Sequence, residues 1–490
     1  MQTIRIIIFP ILSAILLFYA TPGYDFYPFA FIAFIPILFT IRNNNKFFFP
    51  SILFGLLFYV LALKWIIITI SDFGNAPKTV GLLILIAFSL YLSLYYYIFF
   101  VFVKKKFNIF LLASIFVILE IAKGFLFTGF PWLNLGLTQY NNLFFKYVYS
   151  VVGEYGVSFL IILFNLALFK LLFEKKYLPL FFTVLFMLCF VLTGYYFVKD
   201  FKETRDIKVV VIQPAYSQKE KWDPIKKDDL ISDVLGLLRK TEIKDVDLIV
   251  MPESVFPTFC NDEKELIDYL KNFVQNQSLI FGCLRYENEI KKKYYNSVFF
   301  LKNKKIFIYD KIHLVPFGEY FPLKNLLRPI EYYFFQDAED FSPGNEYIIF
   351  NDNSIKYATP LCYETAYTFL IRRFLEKGAN VLVFLTNDSW FGYSNGRKQH
   401  FAIDVVRSYE FYKPVIRGTQ SGISACINPV NSDIRLLSVG VKGILKCKVS
   451  LISGETLYSK ITYWWIIVFI ILGVVVEIKK KKQRKHIDNF

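Results

Sequence analysis

The 490 residues predict a multi-span α-helical membrane domain joined to a large soluble α/β domain with layered architecture and a mixed sheet. Three observations predict it. Residues 1–199 hold long apolar runs with few charges. Residues 200–460 alternate short β-branched runs with helix-patterned stretches. A last apolar run then precedes the tail KKKKQRKHIDNF. At 55% hydrophobic and 19% aromatic residues, the chain is too apolar for one soluble globule. The expected division is transmembrane helices one to seven in 1–199, the soluble domain in 200–460, and the last helix with its basic tail in 461–490.

A bilayer-crossing helix needs about 20 mostly apolar residues. About eight such spans are expected, near 4–20, 26–41, 47–70, 79–103, 107–127, 155–173, 177–198 and 461–478. The first has a basic start and a short apolar core, like a signal peptide, but Ala20-Thr21-Pro22-Gly23 is a poor cleavage site, so a retained anchor is expected. With a cytoplasmic N-terminus, the inner segments carry Arg5, Arg42, Lys46, Lys104 to Lys106, Lys175, Lys176 and the Lys479 to Lys482 tail. The short outer loops carry only Lys78 and Lys146. This asymmetry puts both termini in the cytoplasm and the 200–460 insert outside it. It also accounts for much of the net charge of +16. Nucleic acid is not expected as a partner, because no basic stripe is interleaved with exposed aromatics in the soluble part. Lys64 and Lys123 are expected to snorkel from outer span ends. Glu120 lies deeper and is either a functional group or half of a pair with Lys123.

In the insert, IKVVVIQPA (207–215), VDLIVMPES (246–254), SLIFGCLRY (278–286), IKYATPLCY (355–363) and NVLVFLTND (380–388) read as strands. Residues 296–314 read as a hairpin turning at Lys302-Asn303-Lys304-Lys305. Helical spacing covers 225–243, 261–276, 364–379 and 397–412. Buried strands of this kind place chemistry at their C-terminal ends. Three ends carry chemically useful groups: Glu253 in MPES, Lys311 in YDKIHLVPFGEY with Glu319 eight residues on, and Cys362 in ATPLCYET.

A thiol attacks carbonyl carbon as thiolate, and a helix beginning at Cys362 would lower its pKa. It also needs a base. His313 shares a strand face with Lys311, so a Cys362–His313 pair is one option. The other is Glu253 as base, with Lys311 and the Tyr363 N–H steadying a tetrahedral oxyanion. Spacing alone leaves both open. Three scattered His residues and no CxxC or HExxH give no metal site, and no cofactor is expected. Cys260, Cys283, Cys426 and Cys447 are either buried free thiols or disulfide halves, and nothing in their spacing selects partners.

The set MPES, YDKIHLVPFGEY, PLCYE and TNDSWFG resembles the nitrilase (carbon-nitrogen hydrolase) superfamily, with its Glu-Lys-Cys triad on an α-β-β-α sandwich. WIIITISDFG (65–74), GFPWLNLGLTQY (129–140) and RKQHFAIDVVRSYEFYKPVIRGTQSG (397–422) resemble the apolipoprotein N-acyltransferase family, the membrane-embedded branch. The resemblance spans nearly the whole chain. It implies Glu253 as general base, Lys311 as oxyanion stabiliser, Cys362 as nucleophile and Glu319 as the carboxylate that orients Lys311. It also implies Tyr363 and Glu364 as functional neighbours of the thiol. Trp222 matches a family tryptophan near the substrate entrance, and Trp390 is an accessory candidate in TNDSWFG; both also suit plain packing roles. QPAYSQ, the Tyr393 after WFG, and GTQSG depart from the family pattern, all in loops.

The implied reaction is a ping-pong transfer through a Cys362 thioester. The acyl donor is a phospholipid and the acceptor the N-terminal amine of a diacylglyceryl-modified apolipoprotein. Membrane lipids are the remaining partners. The implied setting is the bacterial cytoplasmic (inner) membrane, with catalysis on the periplasmic side, and the expected state is a monomer. EYYFFQ (331–336) and PFGEYFP (316–322) read as core aromatics or as lining for lipid access. The alternatives are a membrane-tethered amidase hydrolysing C–N bonds and a non-catalytic lipid-binding or transport protein, the latter sustained by Glu120.

Overall fold

The computed structural model describes residues 2–74, 76–287, 293–322 and 340–488. The EYYFFQ stretch lies outside the described residues. Helices occupy the predicted span positions at Gln2–Ala20, Ile35–Asn43, Phe48–Ala62, Lys78–Lys104, Ile109–Lys123, Phe145–Glu174, Leu178–Val198 and Trp464–Asp488. Among the described residues, Lys78–Lys104, Phe145–Glu174 and Leu178–Val198 are each long and apolar enough to cross a bilayer. Phe48–Ala62 makes a fourth when joined to Trp65–Phe73, from which it is bent by 54°. The stretch 47–70 is therefore a broken helix rather than one straight span. The stretch 26–41 is divided between a 3₁₀ turn, Tyr27–Phe31, and the helix from Ile35.

The helix expected at 155–173 begins earlier, at Phe145, and kinks at Gly153, where φ is 67°. A Cβ at this glycine would lie 2.4 Å from the Tyr458 ring, so only glycine allows that close approach. Lys123 does not snorkel. It is 2% exposed, and its Nζ donates to the Trp132 carbonyl at 2.8 Å. Glu120 accepts the Leu135 N–H at 2.6 Å. Both side chains thus fasten the non-helical stretch around 130–135 by binding its buried backbone polar groups.

The soluble part builds strands β1 (Glu203–Gln213), β2 (Leu248–Val250), β3 (Ser278–Glu287), β4 (Lys293–Lys302), β5 (Lys305–Asp310), β6 (Ile349–Asp352), β7 (Ile355–Ala358), β8 (Val381–Thr386), β9 (Val415–Thr419), β10 (Ser424–Ile427), β11 (Ile434–Leu437) and β12 (Gly443–Ile452). Among the described residues they form two six-stranded sheets, ordered β12-β1-β2-β3-β4-β5 and β11-β10-β9-β8-β7-β6. In each the central three strands are parallel and the flanking pairs antiparallel. Period-two alternation sets the layers. Val209 and Val211 join the core shared with Val383, Leu385 and Ile416 of the other sheet. Val210 and Ile212 turn outward to Leu230, Val234 and Leu270 on the covering helices. The result is the α-β-β-α sandwich.

Cys260 pairs with Cys283, and Cys426 with Cys447. The second bridge joins β10 of one sheet to β12 of the other. The two halves of the molecule are pinned by buried charge. Arg407, on the helix Gly396–Phe411, pairs with Glu410 on the same helix and reaches Glu154 of the kinked helix at 2.5 Å. Glu410 also accepts the Glu154 N–H at 2.8 Å. All three side chains are at most 1% exposed. Arg407→Met would leave two carboxylates without their cation, so it is expected to destabilise the protein by about 3–5 kcal/mol, read as a lowered Tm in detergent.

Candidate active site

The C-terminal ends of β2, β5, β7 and β8 meet, and each delivers one part of the site. After β2 the chain turns sharply at Pro252-Glu253-Ser254, with Ser254 at φ 43°. Gly282 of β3 lies directly beneath, and a Cβ there would come within 2.5 Å of the Glu253 Cα. The Glu253 carboxylate is 5% exposed and bound on both oxygens. Oε1 accepts Asn296 Nδ2 at 2.7 Å, and Oε2 accepts the Asn387 N–H at 2.7 Å.

Lys311 follows β5 and is 1% exposed. Its Nζ lies 2.8 Å from Glu319 and 3.7 Å from Glu253. Burial works against the ammonium, but Glu319 and Glu253 outweigh it and push the pKa above the ordinary lysine value. Asn296 also donates to Glu319 at 2.7 Å and so bridges the two carboxylates. Glu319 in turn accepts the Val315 N–H at 2.8 Å, which fixes the loop that carries it.

Cys362 follows β7, in the left-handed region at φ 49°. The expected helix does not begin here. Cys362–Ala366 is a 3₁₀ turn, and the helix starts at Thr368. The thiol therefore has no helix dipole behind it. Cys362 keeps partial surface access. Even so, desolvation of the sulfur, followed by the Glu253 charge, raises its pKa, against the lowering effect of Lys311 and Thr386. These surroundings favour the protonated thiol over the thiolate.

Glu364 is fully buried and acts as a clamp. It accepts N–H groups from Ile312 at 2.7 Å, His313 at 3.0 Å and Leu361 at 2.6 Å, and the Tyr309 hydroxyl at 2.9 Å. It ties the backbone beside Lys311 to the backbone beside Cys362. The Tyr363 hydroxyl donates to the Gly129 carbonyl at 3.0 Å, joining the site to the membrane half. Trp222 and Trp390 lie further out, 44% and 36% exposed. Trp390 packs on Phe73, and its carbonyl accepts from Thr69 at 2.9 Å. His313 packs its ring on Tyr367 at 4.0 Å, and its buried Nε2 has no hydrogen-bond partner among the described residues. Burial and then the Lys311 charge lower its pKa to about 4, which makes it a poor base for the thiol.

Sequence reasoning missed Asn296, which has no motif around it. It also missed Lys221, fully buried with Nζ 3.4 Å from the Glu253 carbonyl, its pKa drawn down to about 7 by burial. The TND of TNDSWFG was legible as a motif but not as the donor of the Asn387 N–H.

Two carboxylates, an ammonium and a thiol thus gather at the strand ends of a paired-sheet sandwich, and residues 209–451 of that sandwich match the carbon-nitrogen hydrolase family. Residues 13–167 match the apolipoprotein N-acyltransferase N-terminal domain. Among relatives, the apolipoprotein N-acyltransferase of Geobacter metallireducens is 32% identical over 92% of this chain and 90% of its own. That of Aquifex aeolicus is 30% identical over 85% of this chain and 92% of its own. A carbon-nitrogen hydrolase from Helicobacter pylori G27 matches 50% of this chain and 89% of its own at 18% identity, with a TM-score of 0.37. The chain belongs to the apolipoprotein N-acyltransferase family.

The lowered His313 pKa gives a sign to test. The unfolded chain binds a proton on this side chain near pH 6.5, whereas the folded chain does so only near pH 4. Stability is therefore lost as pH falls through that window. Melting of the wild type should weaken more steeply between those values than melting of His313→Phe, by up to about 3 kcal/mol at the acid end.

Proposed function

We propose that the protein is an N-acyltransferase that moves an acyl chain from a phospholipid to the N-terminal amine of a diacylglyceryl-modified apolipoprotein. The observation that carries this reading is the convergence of Cys362 with the Glu253–Lys311–Glu319 cluster beside loops of the membrane half. The family names of its relatives support the substrate classes.

Glu253 takes the Cys362 proton as the sulfur attacks the donor's ester carbon. Negative charge collects on the former carbonyl oxygen, where Lys311 and the Tyr363 N–H steady it. The ester C–O bond breaks, the lysophospholipid oxygen takes the proton back from Glu253, and a Cys362 thioester remains. The acceptor amine then attacks the thioester carbon and loses a proton to Glu253. The C–S bond breaks, the sulfur recovers the proton, and the amide leaves. Glu319 orients Lys311. Tyr363 and Glu364 hold the nucleophile's turn, and Trp222 and Trp390 border the approach.

The domain division is residues 1–199, 200–460 and 461–490. The protein is a multi-pass monomer of the bacterial inner membrane, with both termini cytoplasmic and the sandwich periplasmic. The Lys and Arg asymmetry supports this orientation. The two disulfides, which persist in oxidising compartments, support it independently.

Purified protein given phospholipid and a diacylglyceryl peptide should yield N-acylated peptide, and Cys362→Ala should abolish it. Glu253→Gln and Lys311→Met are each expected to lower kcat by about a hundredfold or more. Activity retained by Cys362→Ala, or hydrolysis of a soluble amide in place of acyl transfer, overturns the proposal.

A further inference from the structure

Behind the thiol lies a second polar system that the proposed triad does not use. Thr386 ends β8. Its hydroxyl oxygen is 3.3 Å from Cys362 Sγ, 3.0 Å from Asp388 Oδ1 and 3.4 Å from His400 Nδ1. The hydroxyl has one proton and cannot donate to the sulfur and to the carboxylate at once. Asp388 is itself held rigidly, 2.8 Å from His400 Nδ1 and 2.9 Å from Arg417. Burial works against its charge, but Arg417 and His400 outweigh it and hold the carboxyl well below the usual carboxylate range. Arg417 closes the chain on Asp404 at 2.5 Å. The other imidazole nitrogen, His400 Nε2, lies 3.2 Å from the Cys362 carbonyl. Thr386, Asp388, His400, Asp404 and Arg417 are each at most 1% exposed. The Trp132 indole, from the membrane half, covers the His400 ring at 5.4 Å. Such a network is costly to bury unless its groups satisfy one another, and here the hydroxyl at its end faces the sulfur.

We infer that Thr386 is a further catalytic residue, whose hydroxyl donates to the Cys362 sulfur while that sulfur carries negative charge and turns to Asp388 when it is a thiol or thioester. The same hydroxyl then serves both half-reactions. It stabilises the attacking sulfur in the first and the departing sulfur in the second. His400 is a positioning residue, fixed by Asp388 at Nδ1 and packed with Nε2 against the Cys362 carbonyl, so that it supports the left-handed turn from which the sulfur projects. The inference rests on Cys362 being the nucleophile.

The test is the rate of Cys362 alkylation by iodoacetamide against pH, on the full chain in detergent. It is read on the Cys362 peptide by mass spectrometry, so that exposed Cys189 does not interfere. Charged and titratable groups facing the sulfur are Glu253, Lys311, Asp388 and His400, with Glu319 and Arg417 behind them, and the variants leave all of these in place. Thr386→Val keeps the shape and removes the donor. It should move the midpoint to higher pH and slow alkylation at neutral pH about tenfold to a hundredfold. Thr386→Ser should stay near wild type. Thr386→Ala is the second donor-free variant, and melting curves establish which variants are folded. A wild-type midpoint in either donor-free variant overturns the inference, as does a Ser variant as slow as Val. Alkylation reads the sulfur alone, so that failure leaves acyl transfer through Cys362 standing. A wild-type protein that alkylates normally but never acylates Cys362 overturns both.

Discussion

The buried ammonium of Lys311 is the constraint around which the site is arranged. An isolated ammonium at 1% exposure would cost several kcal/mol, so it needs paired charge and hydrogen bonds. Glu319 at 2.8 Å and Glu253 at 3.7 Å supply the charge, and Asn296 supplies the bridge between them. One positive group against two negative ones leaves the cluster at net −1 while Cys362 is a thiol. Ionising the thiol into bulk solvent would add a second uncompensated negative charge. Passing its proton to Glu253 leaves the total unchanged and only moves charge onto the sulfur. That explains how a thiol with a raised pKa can still serve as the proposed nucleophile, and why a carboxylate suits the base role better than His313, which burial and Lys311 keep neutral.

The cluster depends on scaffolding from both halves of the chain. Glu364 joins the loops of Lys311 and Cys362 through backbone N–H groups, so its carboxylate sets the spacing between ammonium and sulfur. Gln399, one residue before His400, accepts from the indoles of Trp65 and Trp132 and donates to the Ala62 carbonyl. These contacts seat the broken membrane helix and the loop before Leu135 against the helix that carries His400.

Much of this was legible in the sequence, for definite reasons. The β-branched runs with polar ends located β1, β3 and β8 and placed Glu253, Lys311 and Cys362 at strand termini. The α-β-β-α layering came from the resemblance, and the alternation of Val209 and Val211 against Val210 and Ile212 then follows from it. Spacing read Cys362 as a helix start, because ETAYTFLIRRFLEK has helical periodicity. The Glu364 clamp instead tightens the first turn to 3₁₀ and delays the helix to Thr368. Lys123 looked like a snorkelling residue because the Trp132 carbonyl it binds is contributed by a loop nine residues away. Asn296, Lys221 and the Thr386–Asp388–His400 network were invisible for a similar reason. Asn296 and Lys221 act through partners remote in sequence, and although Thr386 and Asp388 lie in TNDSWFG, their links to Cys362, His400 and Arg417 are made only by the fold. Disulfide partners also depended on tertiary structure, since Cys426 and Cys447 lie in different sheets.

The central claim is that Cys362 holds an acyl group as a thioester and keeps it from water until an amine arrives. Intact-mass and peptide mass spectrometry of the purified protein, incubated with phospholipid and no acceptor, tests this most directly. The account predicts one acyl adduct per chain, located on the Cys362 peptide, and one lysophospholipid released for each adduct. Continuous release of free fatty acid with no adduct, or an adduct on another residue, would contradict it.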